Sequence, residues 1–201
     1  MTTHDFGDGL GPVHAHQHAN GGGWVADTAN VDATAYVGPN ARVYGTARVC
    51  GTARVCGTAQ VYGDAWVCGD AWVYGTARVC GTARVCGDAR IYGDARVYGD
   101  ARVYGTAQVY GDARVCGDAR VYGTARVKTS TDYLTLGPIG SRESFLTWTR
   151  SDNSICTGCF RGTVAEFLRA VKETHGDNYH AKAYRAAVRF IRAYAKQEDA
   201  Q

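Results

Sequence analysis

A six-residue repeat dominates the chain and limits the folds that are open to it. Valine stands at every sixth position from Val25 to Val127, and Ile91 is the one substitute in that series. Alanine recurs with the same period, and a glycine followed by Asp or Thr commonly precedes it. Seventeen hexads run from Val25 to Arg126 without an insertion or a deletion. Such regularity is typical of a repeat architecture, in which each unit buries its apolar side chains against its neighbours.

Each hexad predicts one short strand and one corner, as in Val61-Tyr-Gly-Asp-Ala-Trp66. Alternation along a strand sends Ala and Val to one side and Arg and Tyr to the other. Gly with Asp or Thr then forms the bend, because glycine accepts a positive φ at a sharp corner. Three strands and three corners would close a triangular coil of eighteen residues. With strands about 4.8 Å apart, the repeat predicts a prism of about 5.7 coils.

The Val-x-Gly-[Asp/Thr]-Ala-Arg pattern resembles the hexapeptide repeat of left-handed parallel β-helices. The left-handed sense is implied by this resemblance. That family includes many acyltransferases, usually trimeric, and the γ-class carbonic anhydrases. The regular Tyr-Gly-Asp-Ala-Arg-Val form also looks like repeat proteins of phages, prophages and enteric bacteria. The resemblance implies a phage or prophage origin and a homo-oligomer, either a dimer or a trimer, whereas a fold of this kind hosts many functions.

Catalysis within the repeat is not expected, because the interval from Val25 to Val127 contains no His, Glu, Ser or Lys. The acyltransferases that it resembles use a catalytic histidine, and the carbonic anhydrases use histidines to hold a metal, so neither role transfers to a position here. Asp, Tyr and Cys recur in regular rows, whereas a general base needs one distinctive setting. We therefore expect a protein that is not an enzyme and has no cofactor. A diverged acyltransferase is the alternative.

The outward side chains form the candidate binding surface. Residues eighteen positions apart on one face of the prism are called a row. Guanidinium rows beside aromatic rows suit a nucleotide, a nucleic acid or an acidic protein. The opposing interpretation is a solvated surface in which Arg pairs with Asp. The candidate residues are Arg78, Arg96 and Arg114 on one face, Arg84, Arg102 and Arg120 on the next, and Tyr74, Tyr92 and Tyr110 on the third.

Six cysteines of the repeat occupy a position that is otherwise filled by Tyr, so they are predicted to point outward. We expect them to remain free, because neighbouring strands are slightly too far apart for an unstrained disulfide. Free exposed thiols favour a reducing compartment, here the cytoplasm of a bacterial host. No apolar run is long enough to span a membrane, and the amino terminus has no basic start followed by an apolar stretch. These cysteines are Cys50, Cys56, Cys68, Cys80, Cys86 and Cys116.

Three segments are expected: a flexible Gly/His-rich tail at 1–23, the β-helix at 24–128 and a small α+β domain at 129–201. The alternating His14, His16 and His18 of the tail could bind a metal if it were extended. Trp24 is expected to close the open end of the prism, because terminal coils need a cap.

The repeat stops at Lys128, and the composition of the following segment differs from that of the repeat. Two strands are predicted, at 133–137 and 144–150, joined by the Gly-Pro-Ile-Gly turn at 137–140. Thr163 is the expected N-cap of a helix that reaches His175, with Glu166 completing a capping box. A second helix is predicted from 181 to 196. Its apolar face is expected to contain Tyr184, Ala187, Val188, Ile191 and Tyr194. Gly158-Cys-Phe-Arg-Gly-Thr and Thr174-His-Gly-Asp-Asn resemble segments of a small domain in phage-encoded proteins.

Two further patterns in this segment could carry function. Cys156, Cys159, His175 and His180 have a zinc-finger spacing, but the intervening helix would separate Cys159 from His175 by about 17 Å. We therefore expect no metal site. The second pattern is a basic stripe along the second helix, which could bind nucleic acid or an acidic partner or could simply be solvated. The stripe consists of Lys182, Arg185, Arg189, Arg192 and Lys196.

Together these features predict a cytoplasmic, non-enzymatic binding or scaffold protein with no membrane association. A phage origin would fit a role in host interaction or against host defence. The second hypothesis is the diverged acyltransferase, and the third is a self-assembling structural protein whose open coils meet end to end.

Overall fold

A computed structural model describes residues 2–198, with side chains as far as Lys196. The described chain is mainly β, and its carboxyl-terminal part carries two helices. No helix among these residues has the length and apolar character needed to cross a membrane. The elements are β1 (Thr3–His4), β2 (Val13–Gln17), β3 (Trp24–Ala26), β4 (Asn30–Val31), β5 (Tyr36–Val37), β6 (Arg42–Val43), β7 (Arg48–Val49), β8 (Arg54–Val55), β9 (Gln60–Val61), β10 (Trp66–Gly69), β11 (Trp72–Val73), β12 (Arg78–Val79), β13 (Arg84–Gly87), β14 (Arg90–Ile91), β15 (Arg96–Val97), β16 (Arg102–Val103), β17 (Gln108–Val109), β18 (Arg114–Val115), β19 (Arg120–Val121), β20 (Arg126–Val127), β21 (Tyr133–Ile139), β22 (Ser144–Thr149), β23 (Ser154–Thr157), β24 (Phe160–Thr163), α1 (Val164–His175) and α2 (Tyr179–Glu198).

The strands β3–β20 form a β-solenoid of about six coils, as the repeat predicts. Three parallel sheets make its faces, and each strand pairs with the strand three places further along the chain. Residues eighteen positions apart are therefore neighbours, as Val25 and Val43 are. Face 1 contains β3, β6, β9, β12, β15 and β18; face 2 contains β4, β7, β10, β13, β16 and β19; face 3 contains β5, β8, β11, β14, β17 and β20.

The interior of the solenoid is one continuous column of alanine and valine. From Ala35 to Val127 every repeat Ala and Val, together with Ile91, is buried and belongs to a single cluster. From Val43 to Val121 the Arg, Trp or Gln before each repeat Val or Ile and the Tyr or Cys after it lie on the outer side of the strand, which confirms the alternation predicted from the hexad. The small and branched side chains fill a narrow prism without polar atoms, so packing and not hydrogen bonding holds the faces together inside.

Hydrogen bonds between successive coils hold the corners in register. Thr76 Oγ1 donates to the carbonyl oxygen of Gly93 at 2.9 Å and to Asp94 Oδ1 at 2.5 Å. Thr82 does the same one corner later, with Gly99 at 3.0 Å and Asp100 at 2.6 Å. Corner threonines and aspartates therefore interact with the coil above or below them.

The first segment differs from the flexible tail that its composition predicts. β1 and β2 pair antiparallel, and β2 continues antiparallel onto β3, so the segment extends face 1. Phe6 is 2% exposed and its ring lies 4.9 Å from that of Tyr44, while the ring of His4 stacks 4.3 Å from that of Trp24. These aromatic contacts lie far apart in sequence, which is why glycine and histidine content alone gave the wrong expectation.

The carboxyl-terminal domain covers the other end of the solenoid. Strands β21–β24 form an antiparallel sheet, and α1 and α2 pack on one of its faces. Its opposite face lies on the last coil, whose backbone N–H groups have no further coil to donate to. Those of Arg114, Arg120 and Arg126 donate instead to hydroxyl oxygens, of Ser130 at 3.3 Å, Thr147 at 2.9 Å and Ser151 at 2.7 Å. The end of the solenoid is thereby hydrogen-bonded and covered.

Most local predictions for this domain are confirmed. Thr163 caps α1 through the predicted capping box with Glu166, and α1 ends at His175. α2 is longer than predicted, but its apolar face contains the expected Tyr184, Val188 and Ile191. The strands β23 and β24 were not predicted, because each has only four residues and gains its partner through the tight turn at Gly158, where φ is +54°.

One cysteine pair departs from the prediction of free thiols. Cys68 and Cys86 face each other across β10 and β13 and form a disulfide, with their Cα atoms 4.7 Å apart. That separation lies within the range of ordinary disulfides, because the two side chains can lean together along the row. The other six cysteines are free. The argument from free thiols to a reducing compartment therefore loses part of its basis.

Candidate binding surfaces

The face 1 arginines form the clearest exposed row. Arg78, Arg96 and Arg114 lie in register on β12, β15 and β18, and all three are exposed. Within residues 2–198 their side chains make no hydrogen bond, ion pair or aromatic ring contact. Three positive charges about 4.8 Å apart repel each other weakly in water. An anion placed over the row would relieve that repulsion, so this row has unused capacity for binding. We call it the face 1 arginine row.

The aspartates do not pair with the arginines of this row, although the opposing interpretation of the sequence expected Arg to pair with Asp. The acids lie at the corners, where Asp94 and Asp100 accept hydrogen bonds from the threonines of the preceding coil. In the described chain the close contacts between a carboxylate and a basic side chain are those of Asp27 with His16 and of Asp177 with Arg185, and neither lies on the arginine rows. The charge of the solenoid surface is therefore nearly balanced in total but separated locally into basic faces and acidic corners.

In the second predicted row, on face 2, two of the three arginines already contact other groups of the protein. Arg84, Arg102 and Arg120 are in register. The guanidinium of Arg84 lies 5.4 Å from the ring centroid of Trp66. Arg120 donates from Nη1 to the carbonyl oxygen of Gly158 at 3.3 Å, under the carboxyl-terminal domain. Arg102 alone keeps its side chain without a contact of this kind, so face 2 offers less free charge than face 1.

The tyrosine row on face 3 is a stack and not a set of open rings. Tyr74, Tyr92 and Tyr110 lie with ring centroids 4.9 and 5.1 Å apart. The hydroxyl of Tyr92 donates to Gln108 Oε1 at 3.2 Å. All three side chains are half-buried, and burial raises the pKa of Tyr74. Because the ring faces are already covered by one another, these tyrosines present edges and hydroxyls to a partner.

Beside this stack lies a cation–π column that the candidate list did not include. The guanidinium of Arg54 lies 5.1 Å from the Tyr36 ring centroid and 4.9 Å from that of Trp72, and Arg90 lies 5.7 Å from Trp72 on the other side. Trp72 is nevertheless 39% exposed. The eighteen-residue spacing of these four residues was the signal that could have revealed the column.

The basic stripe of α2 is interrupted at its second member. Arg185 donates to Asp177 Oδ1 at 2.6 Å and to the carbonyl oxygen of Gly176 at 2.8 Å. Its guanidinium holds the pKa of Asp177 below the usual value. Lys182, Arg189, Arg192 and Lys196 remain exposed. The stripe therefore offers four exposed cations on one helix, unpaired among the side chains that the structure describes, which makes it the competing anion-binding surface.

The zinc-finger spacing does not assemble into a metal site. Cys156 is buried against the solenoid side of the sheet, whereas Cys159 is exposed in the turn before β24. His175 and His180 lie near each other, with ring centroids 5.7 Å apart. Among the described residues no group of three or more His, Cys, Asp or Glu side chains could hold a metal ion.

One comparison with known proteins gave a match, which concerns the repeat of the solenoid. The family model described as the YdcK beta solenoid repeat matches residues 59–75, 83–96, 95–106, 107–123 and 113–128, about a third of the chain. The chain is similar to that repeat, and together with the observed coils this supports a repeat β-helix class. A search of curated proteins and a search of solved structures gave no match.

Proposed function

We propose that the chain is a non-enzymatic binding protein whose solenoid is a rigid scaffold for an anionic partner. The observation that carries the proposal is the face 1 arginine row: Arg78, Arg96 and Arg114 are exposed, in register and unpaired in the described chain. Guanidinium groups bind phosphate and carboxylate oxygens through paired hydrogen bonds. Evenly spaced cations fit a partner with repeated negative charges, such as a nucleic acid strand or an acidic protein segment.

An exposed aromatic side chain adds to this surface. Tyr98 follows Arg96 by two residues on the same face and is 36% exposed. An aromatic ring beside a guanidinium row suits a nucleobase as well as a phosphate. This combination supports nucleic acid or a nucleotide as the first partner to test, with an acidic protein as the second.

The two alternative functions have weaker support. A diverged acyltransferase would need a histidine or an acid in a cleft of the solenoid, and the repeat has neither a histidine nor a glutamate from Val25 to Val127. A self-assembling fibre would need exposed coil ends. The strands β1 and β2 continue face 1 at one end, where β4 and β5 are the edge strands of the other two faces, and the carboxyl-terminal sheet hydrogen-bonds to the other end. The covered carboxyl-terminal end disfavours end-to-end association.

We extend the proposal to the handedness of the solenoid, the origin of the protein and its oligomeric state. The hexapeptide resemblance supports a left-handed sense, a phage or prophage origin and a dimer or trimer. An activity in the cytoplasm of a bacterial host, in host interaction or against host defence, would follow from that origin.

The first experiment measures binding of a fluorescein-labelled single-stranded oligonucleotide, and separately of polyglutamate, by fluorescence anisotropy at several salt concentrations. Affinity for the wild type should fall steeply with salt, because each neutralised charge releases a counterion. Replacing Arg78, Arg96 and Arg114 together by Gln should weaken binding about tenfold or more and reduce the salt slope for the oligonucleotide by about two. The unfolding free energy should change by at most about 1–2 kcal/mol, because the three side chains lie in water.

The matched control removes the same number of charges from α2, through Arg185→Gln, Arg189→Gln and Arg192→Gln. Loss of binding in the control alone would move the site to the helix and overturn the solenoid proposal. If neither triple variant changes binding to either probe, both basic surfaces are solvated faces and the purely structural interpretation is correct.

A further inference from the structure

The carboxyl-terminal domain contains a cavity that is separate from the solenoid rows. Its volume is about 380 Å³, which is within the usual range of small-molecule sites. It lies on the helix-facing side of the sheet, between the β23–β24 turn and the two helices. The segments Gly158-Cys-Phe-Arg-Gly-Thr and Thr174-His-Gly-Asp-Asn, which stood out in the sequence, both contribute to its lining. The fold thus brings these two segments to one place.

The polar side chains that line the cavity carry hydroxyl, thiol, imidazole and guanidinium groups, each of which can donate a hydrogen bond, and none of them is a carboxylate. Arg142 carries the one formal positive charge, and its Nη1 donates to Cys159 Sγ at 3.2 Å. In the described chain Arg142 has no acidic partner. Its guanidinium is near enough to Tyr184 to oppose the effect of burial, which raises the pKa of that phenol. A basic group beside a phenol hydroxyl favours a negatively charged ligand atom.

A buried hydroxyl in the lining has no partner. Thr157 is 6% exposed, and its Oγ1 makes no hydrogen bond within the described residues. Thr157 pairs with Leu146 across the sheet, and Leu146 belongs to the core beneath the helices, so Thr157 lies on the cavity side. That oxygen is closed off from solvent, so a ligand oxygen would reach it only if the side chain turned toward the cavity. The contact would then remove the cost of a buried hydroxyl without a partner.

Aromatic and apolar side chains form one side of the wall. The rings of Phe160 and Phe167 lie 5.2 Å apart at 57°, and those of Phe167 and Tyr184 lie 5.3 Å apart at 86°. Val171 and Ala170 complete this side. Ring edges and faces at these angles accept another aromatic ring in an edge-to-face or offset arrangement.

We propose that this cavity is a binding site for a small aromatic carboxylate, with the carboxylate at Arg142 and Thr157 and the ring against Phe160, Phe167 and Tyr184. A single guanidinium matches a single carboxylate, which it can bind through two parallel hydrogen bonds. The aromatic wall supplies the apolar contact area. The site does not depend on the function proposed for the solenoid.

The test uses three acid–amide pairs as probes: benzoate with benzamide, phenylacetate with phenylacetamide, and indole-3-acetate with indole-3-acetamide. Binding to the full chain is measured by ligand-observed NMR and calorimetry. At least one acid should bind about tenfold more tightly than its amide, because the amide cannot pair with a guanidinium charge. The same acid should slow the alkylation of Cys159 by iodoacetamide.

Two variants test whether Arg142 makes the contact with the carboxylate of the ligand. Arg142→Gln should weaken binding of the acid about tenfold and leave binding of the amide unchanged. Arg169→Gln is the matched control, because Arg169 is exposed on α1 and does not line the cavity. The triple Gln variant of the face 1 arginine row should bind the acid as the wild type does, so failure here is distinguishable from failure of the proposed function. The proposal is overturned if no acid is preferred to its amide, or if Arg142→Gln and Arg169→Gln behave alike.

Discussion

The solenoid and the carboxyl-terminal domain bury their apolar side chains in opposite ways. In the solenoid each Val meets the same neighbours one coil above and below, so that one local pattern is used again and again. In the domain, Trp148, Phe167 and Ile191 each occur once in a core of varied side chains. Repetition therefore produces rows of equivalent surface groups, whereas the varied core leaves a cavity lined by side chains of different kinds. An extended partner suits the first surface, and a small ligand suits the second.

The largest effect is expected for a charge inside the solenoid. Val97→Asp places a carboxylate in a fully buried column with no polar partner and should destabilise the solenoid by more than about 4 kcal/mol. Urea unfolding followed by circular dichroism measures the change. Arg96→Asp is the control, because it puts the same carboxylate on the exposed side of the same strand and should change stability by about 0.5 kcal/mol or less. Equal effects of the two variants would contradict the alternation.

The disulfide should contribute the next largest effect. Replacing Cys68 and Cys86 together by Ser opens a cross-link between residues eighteen apart, which should cost about 3 kcal/mol under oxidising conditions. Replacing the free Cys50 and Cys56 by Ser should cost less than about 1 kcal/mol. Alkylation followed by mass spectrometry checks the assignment directly. Eight modified cysteines without prior reduction would show that the bond is absent.

Two glycines allow two contributions to stability to be measured separately. One is the cost of a positive φ, and the other is the cost of contact with the neighbouring coil. Gly81 and Gly117 have positive φ values, +67° and +60°. A Cβ on Gly81 would meet the backbone nitrogen of Gly99 at 2.9 Å, whereas one on Gly117 would meet nothing within 4 Å. Gly117→Ala should therefore cost about 1 kcal/mol for conformation alone, and Gly81→Ala roughly twice that. Thermal unfolding of both variants gives the comparison, and equal costs would show that the corner above moves aside freely.

The smallest effect belongs to the cap of α1. Thr163→Ala removes the side-chain part of the capping box and should destabilise the domain by about 1 kcal/mol at neutral pH. Hydrogen bonds from the backbone and side chain of Thr163 lower the pKa of Glu166. A lowered folded-state pKa stabilises the fold above the unfolded value, about 4.3, and that stabilisation is lost as the pH falls through the folded value. The difference between Thr163→Ala and wild type should shrink in acid, as unfolding monitored by the helical band of the circular dichroism spectrum can measure. A constant difference would exclude Glu166 from the cap.

The sequence predicted the parts of the molecule whose contacts are local or strictly periodic. The hexad determined which side chains of the solenoid are buried, and the Thr163 capping box and the apolar face of α2 followed from spacing alone. Three features depended on contacts between distant segments and were missed. The first strands are held by rings such as Phe6 and Tyr44, the disulfide required the two side chains to lean together, and the cavity formed only where β24 meets the helices.

The same contrast applies to the candidate sites. The register of Arg78, Arg96 and Arg114 followed from counting by eighteen, and the structure confirms it. Counting could not show that Arg120 donates a hydrogen bond to Gly158 or that Arg185 donates one to Asp177. Those contacts depend on where the carboxyl-terminal domain docks and on how the turn between the helices closes.

The triangular cross-section also governs how such a chain can change length. Adding or losing eighteen residues would lengthen or shorten the rod by one coil, about 4.8 Å, and return every later side chain to its original face. Adding or losing six would preserve the buried Ala and Val column but turn everything beyond the change by a third of a revolution. A duplication in the gene could therefore reset the distance between the amino-terminal strands and the ligand cavity, or the direction in which that cavity opens, without a new core having to evolve.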